Sequence, residues 1–496
     1  MTMSNQLNQL AGQLIMIRFP GTELDAATAE FIRTNSVRGV CLFRGNMVNS
    51  AQLSRLTADL REAMGPNALI AIDQEGGAVV RSTWTPAPPA AMALGAADDT
   101  GLARDIGAAV GRAVKSLGFN WNFAPVLDLN NNPHNPVIAE RSFGADPQRA
   151  TELALAWMEG SESEGVACCV KHFPGHGDTT VDSHRDLPTV DKPLAELENF
   201  EFKPFRMAGN QAPALMTAHI VYPALDAEFP ATMSRRILND LLREEWDYRG
   251  VIITDGMDMH AIAGRYGAGA AAVRALQAGA DMVMALGTAE TQAETIAAIS
   301  AAIESGELPM AEVEARLSRL TALAQKYPCQ PREYMEEAAD RLVMAHGWRR
   351  SLTARGNPQR PPAGAKVRLV VRQDVVSDGV SEAGVPAAVV AASLGRLYDV
   401  DLVTYTDAEA FDWNSLPDDG RFVFLASTSR LRYGPNARDT WKPDLHLALW
   451  NPYQALDIDA PALMTYGFAA PGLDAVDAWL AGSLEAQGKC PVPGFA

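Results

Sequence analysis

Residues 171–188, KHFPGHGDTTVDSHRDLP, hold Lys171, three histidines (His172, His176, His184) and three aspartates (Asp178, Asp182, Asp186) within 18 positions. Two glycines and two prolines make the segment a loop, and a long loop of specific composition in a compact domain is a usual seat of function. Two chemistries suit these residues. Histidines and aspartates so spaced can bind a divalent metal, with His172, His176 and His184 as ligands. Alternatively, one carboxylate can orient one imidazole and raise its basicity, giving a proton-transfer pair. Asp182 and His184 are the natural members of such a pair, because a tight turn brings residues two apart together. The plain alternative is a solvated connection whose histidines satisfy local backbone groups.

A second candidate is Asp255 in Thr254-Asp255-Gly256, directly after the apolar run 251–253. An Asp at that place can be a nucleophile, a metal ligand or a helix N-cap. Asp73 in IDQEGG and Arg141 in ERSFG also lie at or beyond the ends of apolar runs. Each has a structural reading, a turn cap for Asp73 and an ion pair for Arg141, beside a substrate-binding one. His219 in TAHI, at another strand end, has a pocket-lining reading beside that of a satisfied barrel histidine, and the second is favoured.

These residues need elements to position them. Eight short apolar runs, at 14–19, 39–43, 68–73, 119–128, 165–172, 214–219, 250–255 and 280–286, alternate with helical patterns such as 102–117, 150–162, 194–207, 235–245, 268–278 and 290–305. Continuous apolar runs of this length suit strands buried on both faces of a parallel sheet. Eight β-then-α units in about 300 residues predict a TIM (β/α)8-type barrel, whose strands open their C-terminal ends onto one functional face. IAIDQEGG, NFAPVLDLN, CCVKHFPGHG, LMTAHI and VIITDGMD all run from apolar into polar residues at such ends. The expected organisation is therefore α/β: a barrel over 1–327, a proline-bearing linker over 328–364 with a helix at 333–345, and a smaller open α/β sandwich domain over 365–496. Five strands are expected in that domain, at 367–371, 401–405, 422–427, 445–449 and 462–466, with helices at 387–397 and 473–484.

Composition narrows the partners. The 496 residues are 47% hydrophobic and 21% charged, the balance of a folded globular protein. A net charge of −18 repels phosphate backbones and anionic lipid head groups, so neither nucleic acid nor a membrane is the expected partner. Positions 1–13 lack the basic-then-apolar pattern of a signal peptide, and no apolar run of about 20 residues occurs, which gives a cytoplasmic expectation. Five cysteines without CxxC spacing argue against a disulfide framework or a zinc ribbon.

Five motifs, IDQEGG (72–77), ERSFG (140–144), KHFPGHG (171–177), DSH (182–184) and ITDGMDM (253–259), resemble glycoside hydrolase family 3 in type, order and spacing. The resemblance covers about residues 10–330, and the C-terminal part is similar to the second domain of the longer members. KHFPGHG followed by DSH resembles the β-N-acetylglucosaminidase subgroup, which uses a loop His paired with Asp as general acid/base where most of the family uses Glu. The resemblance implies Asp255 as nucleophile, His184 with Asp182 as acid/base, and Asp73, Arg141, Lys171 and His172 as groups gripping sugar hydroxyls. It implies loop shaping for His176 and Asp178, and glycines Gly175 and Gly177 are expected to give the loop freedom to move. It further implies no metal and no organic cofactor, and a small carbohydrate substrate such as a muropeptide or chitooligosaccharide; the expected assembly is a monomer or homodimer.

The implied activity is retaining exo-hydrolysis of terminal N-acetylglucosamine. Alternatives are a β-N-acetylglucosaminide phosphorylase, since a neutral imidazole does not repel an incoming phosphate as a carboxylate would, a β-glucosidase, and more distantly a metal-dependent barrel hydrolase. Two departures from the pattern stand out. Subgroup members often carry an Arg directly after IDxEGG, whereas here Ala78 follows and the next arginine is Arg81. Gly256 follows Asp255 where an acidic or other side chain is common.

Overall fold

The structure is a computed structural model describing residues 3–183 and 186–495. Strands β1 (Ile15–Ile17), β2 (Gly39–Cys41) and β3 (Leu69–Ile72) are followed by a hairpin of β4 (Gln74–Gly76) and β5 (Val79–Val80). Then come β6 (Trp121–Asn122), β7 (Ala167–Phe173), β8 (Ala214–Thr217), β9 (Val251–Gly256) and β10 (Met282–Ala285). Without the hairpin these strands form a closed, all-parallel barrel in the order β1-β10-β9-β8-β7-β6-β3-β2. It shuts where β1 pairs both β10 (Ile15 opposite Val283) and β2 (Met16 opposite Gly39). All seven residues of β7 are buried, as the two-faced burial of a barrel strand requires.

The eight expected barrel strands are present, with local differences. In the run 119–128 the regular ladder covers only Trp121–Asn122. Pro125 has no N–H to donate, and the chain resumes pairing beyond it through Leu127 N–H to Lys171 O at 2.7 Å. The expected helix at 194–207 is two, Leu194–Asn199 and Phe202–Ala208, because Pro204 cannot give the N–H that a continuous helix would offer the Phe200 carbonyl. The segment after β8 is a π-helix, Arg236–Glu245, that closes with Trp246 N–H on Leu241 O five residues back.

After the barrel, helix Glu337–Ser351 leads into β11 (Thr353–Arg355), followed by β12 (Lys366–Arg372), β13 (Asp399–Tyr405), β14 (Phe422–Ser427), β15 (Leu445–Ala448) and β16 (Ala462–Met464). They form a second, six-stranded sheet ordered β11-β16-β15-β14-β12-β13. The five strands expected there are parallel to their neighbours, whereas β11, from the segment expected to be a linker, pairs β16 antiparallel at the edge. That short polar strand has no apolar run to announce it and is defined by its partner. The helix before it also starts later than the charged pattern indicated, and it ties the two domains together: Met344 enters the barrel core while Leu352, just beyond its end, enters that of the second sheet. Arg112 grips its Asp340 through Nε and Nη2 at 2.9 and 2.6 Å. Among the described residues no helix is long and apolar enough to cross a membrane.

Candidate active site

The C-terminal ends of the barrel strands converge on a cavity of about 150 Å3 whose lining includes Asp73, Glu75, Arg81, Arg141, Lys171, His172, Ser183 and Asp255, with apolar walls from Phe123, Val137, Met216 and Met284. Five of the seven residues singled out for catalysis or binding, Asp73, Arg141, Lys171, His172 and Asp255, thus meet at one place. Asp182 is half-buried beside it, next in the chain to the lining residue Ser183. His184 lies outside the described residues, and so does its pairing with Asp182. A larger cavity of about 330 Å3 sits behind the strands among Phe205, Leu242, Trp246 and Tyr248, away from the polar strand ends.

The polar wall pairs cations with carboxylates. Lys171, projecting from β7, places Nζ 2.7 Å from both Asp73 and Glu75. Arg141 grips Glu75 with a two-pronged pair, Nε to Oε2 at 2.9 Å and Nη2 to Oε1 at 2.8 Å, the geometry for which a guanidinium is suited. Burial by itself would raise the Glu75 carboxyl, but the Arg141 and Lys171 charges overrule it and hold it well below the usual carboxylate range. Burial likewise works against the Lys171 ammonium, yet Asp73 and Glu75 push it above its ordinary value. Both groups are therefore held ionised in a buried place.

Hairpin β4–β5 aims Glu75. Asn122 of β6 accepts from Gln74 N–H at 3.0 Å and donates to Gln74 O at 3.1 Å, while Gln74 Oε1 accepts from Arg81 N–H at 2.9 Å. Sequence reasoning missed Glu75 although it lies inside a quoted motif. The signal was its spacing of two from Asp73 in an extended stretch, which puts two side chains on one side.

His172 is held by a residue that sequence reasoning also left out. Its Nδ1 lies 2.6 Å from Asp128 Oδ2, so the carboxylate keeps the proton on Nδ1 and leaves Nε2 as the remaining polar atom of the ring. Asp128 Oδ1 accepts from His176 N–H at 2.6 Å. Burial raises the Asp128 carboxyl, and the charge and hydrogen bonds of His172 and His176 outweigh it and keep the group below its ordinary value.

His176 shapes the loop through Thr179 Oγ1 on Nδ1 at 2.8 Å and Ser183 Oγ on Nε2 at 3.1 Å. Asp178 is tied to Lys192 at 2.6 Å. The expected freedom of Gly175 and Gly177 is not what the packing gives. A Cβ on Gly177 would stand 1.6 Å from Leu129 O, and Gly175 has φ +138° with Glu201 Cβ 3.0 Å from where its own Cβ would be. These glycines allow close approach and a left-handed backbone. Asn135 Nδ2 fixes the same stretch by donating to the His176 and Gly177 carbonyls at 2.8 and 3.1 Å.

Burial, followed by the neighbouring His172, lowers His176 to about 4 from an ordinary 6.5, with Asp128 and Asp182 opposing. Between those values the unfolded chain binds a proton that the folded one does not, so stability rises with pH across that window. Urea unfolding from pH 4 to 6.5 should show this rise, and His176→Gln should make it shallower. Equal slopes would contradict the assignment.

Asp255 stands at the end of β9 and accepts from Gly256 N–H at 2.7 Å. His219 is buried beneath it, with Nδ1 2.8 Å from Thr232 Oγ1 and Nε2 donating to Gly256 O at 2.9 Å. It is the satisfied barrel histidine expected, and it also pins the backbone that carries Asp255.

The second domain closes one side of the cavity. Gly379 and Val380 line it, and Arg81, the arginine displaced along the chain, donates to Glu382 Oε1 at 2.8 Å and Val380 O at 2.9 Å while lying 3.6 Å from Asp73. The loop is anchored in turn by Glu140 of ERSFG, which accepts from Trp450 Nε1 at 2.7 Å and Arg430 Nη2 at 3.3 Å. Adjacent residues Glu140 and Arg141 thus face the second domain and the cavity respectively. Nothing in the local sequence announces Glu382, Arg430 or Trp450, which act from more than 200 positions away.

Charged side chains and the strand-end carboxylate of Asp255 thus share one cavity at the barrel mouth, and comparison with known proteins gives the family. The family model "Glycosyl hydrolase family 3 N terminal domain" matches residues 6–323. "Beta-hexosaminidase A" of Pseudoalteromonas piscicida is 34% identical over 388 residues, which cover 72% of this chain and 62% of that protein, so the match spans less than two thirds of that relative's length. "Beta-hexosaminidase" of Bordetella avium is 37% identical over 279 residues, 54% of this chain and 79% of that protein. A solved structure of a glycoside hydrolase family 3 β-N-acetylglucosaminidase from Paenibacillus sp. superposes with a TM-score of 0.86 and 31% identity, covering 99% of both chains. With the barrel matched almost from end to end and the whole fold shared with a solved member, the chain belongs to glycosyl hydrolase family 3.

Proposed function

We propose that the chain is a retaining exo-β-N-acetylglucosaminidase that removes terminal N-acetylglucosamine from muropeptides or chitooligosaccharides. The observation that carries this reading is that Asp255 lines one cavity together with Asp73, Glu75, Lys171, Arg141 and His172. The similar β-N-acetylglucosaminidase of Paenibacillus supports the acetamido sugar as substrate.

In this reading the array binds the ring hydroxyls, with carboxylates accepting from them and Lys171 and Arg141 donating. Asp255 attacks the anomeric carbon as the glycosidic bond breaks, while His184, paired with Asp182, gives its proton to the leaving oxygen. A water then loses a proton to His184 and attacks the same carbon, releasing Asp255 and a sugar of unchanged configuration. No metal or organic cofactor takes part in these steps.

Release of nitrophenol from an aryl β-N-acetylglucosaminide and the matching β-glucoside, in phosphate-free buffer, tests the substrate. Strong preference for the acetamido sugar is expected, and equal or reversed preference would overturn it. Repeating the reaction in phosphate buffer tests the acceptor: free sugar is expected, and a sugar 1-phosphate would replace hydrolysis by phosphorolysis.

Glu382 enters the account as a positioning residue. Glu382→Gln weakens a hydrogen bond between charged groups, an interaction worth about 1.5–3 kcal/mol, and Arg81 then draws closer to Asp73. The expected result is a kcat/KM about tenfold lower, chiefly through KM, with thermal stability little changed. A variant indistinguishable from the native chain would remove the second domain from the site's function.

A further inference from the structure

The loop that carries Asp182 leaves β7 at Phe173 and comes back to the barrel at 188–190, where Val221 N–H donates to Pro188 O at 3.0 Å and Val190 N–H donates to Val221 O at 2.9 Å. One side chain ties its neck. Lys192, just past the return, reaches back to Asp178 at 2.6 Å and at the same time to Glu201 at 2.5 Å, with Glu196 3.4 Å away.

Glu201 is the fixed end of this clasp. It is buried at the start of the helix Phe202–Ala208, whose Phe202 and Phe205 belong to the barrel core. It also packs against the base of the loop, its Cβ close to Gly175, where the Tyr222 hydroxyl donates to Gly175 O. Support therefore runs from the core through Glu201 and Lys192 to Asp178, four residues before Asp182. Beyond Asp182 the ties are longer or exposed: Ser183 Oγ stands 3.1 Å from His176 Nε2, Ala261 N–H donates to Ser183 O at 3.4 Å, and Asp186 pairs with Arg265 at 3.0 Å in the open. An apolar side chain at 192 would leave Glu201 buried without its counter-charge and set it against Asp178, so the neck would be driven apart.

We propose that Lys192 is a positioning residue for acid/base catalysis, holding Asp178 to Glu201 so that the loop brings Asp182 and its partner to the leaving oxygen. Lys192 does not line the cavity and acts only through the loop. This rests on the reading of Asp182 and His184 as the acid/base pair.

A fault in proton delivery has its own kinetic sign. A poor leaving group needs the proton in the transition state and a good one does not, so loss of the acid slows a phenyl glycoside by about 10^2–10^4 and a dinitrophenyl glycoside far less. A general loss of packing or of sugar binding slows both alike.

The test compares kcat/KM for the phenyl and 2,4-dinitrophenyl β-N-acetylglucosaminides in the native chain, Lys192→Met, Asp178→Asn and His184→Ala. Lys192→Met and Asp178→Asn are each expected to lower the phenyl value at least about tenfold and the dinitrophenyl value by less than about threefold, a partial form of the loss in His184→Ala. Asp178→Asn opens the clasp from its more exposed side and keeps the Lys192–Glu201 pair, so it carries the test if Lys192→Met does not fold. Equal losses on the two substrates in these variants, or no loss, would overturn the clasp, while a selective loss in His184→Ala would leave the acid/base reading standing. If His184→Ala also slows both substrates equally, or neither, both are overturned.

Discussion

Asp255→Ala should lower kcat/KM for an aryl β-N-acetylglucosaminide by at least about 10^4, the scale of removing a covalent nucleophile. The carboxylate is aimed by its own local structure: Gly256 N–H holds Oδ1 at 2.7 Å, and buried His219 holds Gly256 O at 2.9 Å. Removing it should leave the fold intact, because Asp255 lies at a strand end that other residues fix. The alanine variant also leaves room for a small anion on the face the carboxylate occupied. Added azide should therefore restore turnover and yield the glycosyl azide of inverted configuration, readable by proton NMR. Asp258, exposed and paired with Arg18 at 3.2 Å, serves as the comparison, and a larger loss in Asp258→Ala than in Asp255→Ala would move the nucleophile.

Lys171→Met should be the next most damaging change, lowering kcat/KM by about 10^2–10^3, the range for losing one preorganised donor. Its ammonium stands 2.7 Å from both Asp73 and Glu75, so an apolar side chain of similar length leaves two half-buried carboxylates facing one another. Their repulsion should disturb the Asp73 and Glu75 positions that receive the sugar hydroxyls. The pH profile separates this from a simple loss of packing. Because Lys171 and Arg141 together depress Glu75, removing one of them raises its pKa, and the acid limb of activity should move to higher pH in the variant. An unmoved acid limb would contradict the shared-cation account. Lys171→Arg keeps the charge but spreads it over a planar fork, and partial rescue is the expected result.

How much of this was legible in the sequence follows from what each residue depends on. The eight barrel strands could be read because a strand buried on both faces must be apolar throughout, whatever its neighbours. Asp73, Arg141, Lys171, His172 and Asp255 could be read because they end such runs or sit in dense motifs, and the cavity brings them together. Glu75 and Asp128 were within reach, one through extended spacing and the other because NFAPVLDLN ends polar on the strand next to KHFPGHG. Glu382, Arg430 and Trp450 were not, since each acts on a residue more than 200 positions away and no local pattern encodes such a pairing. The edge strand Thr353–Arg355 was missed for the same reason: only the presence of Ala462–Met464 beside it makes it a strand. Gly177 misled because a glycine's use in close approach, 1.6 Å from Leu129 O for an added Cβ, looks in sequence like a use in flexibility.

The most direct test of the central claim is to trap the sugar on the chain. A 5-fluoro N-acetylglucosaminyl fluoride, which forms the covalent intermediate faster than water removes it, is incubated with the protein before peptide digestion and fragmentation mass spectrometry. The account predicts one added fluorosugar on the peptide carrying residues 251–259, with the modification on Asp255 and the same peptide unmodified in Asp255→Ala. A sugar on another residue, or turnover that yields product of inverted configuration with no adduct, would contradict it.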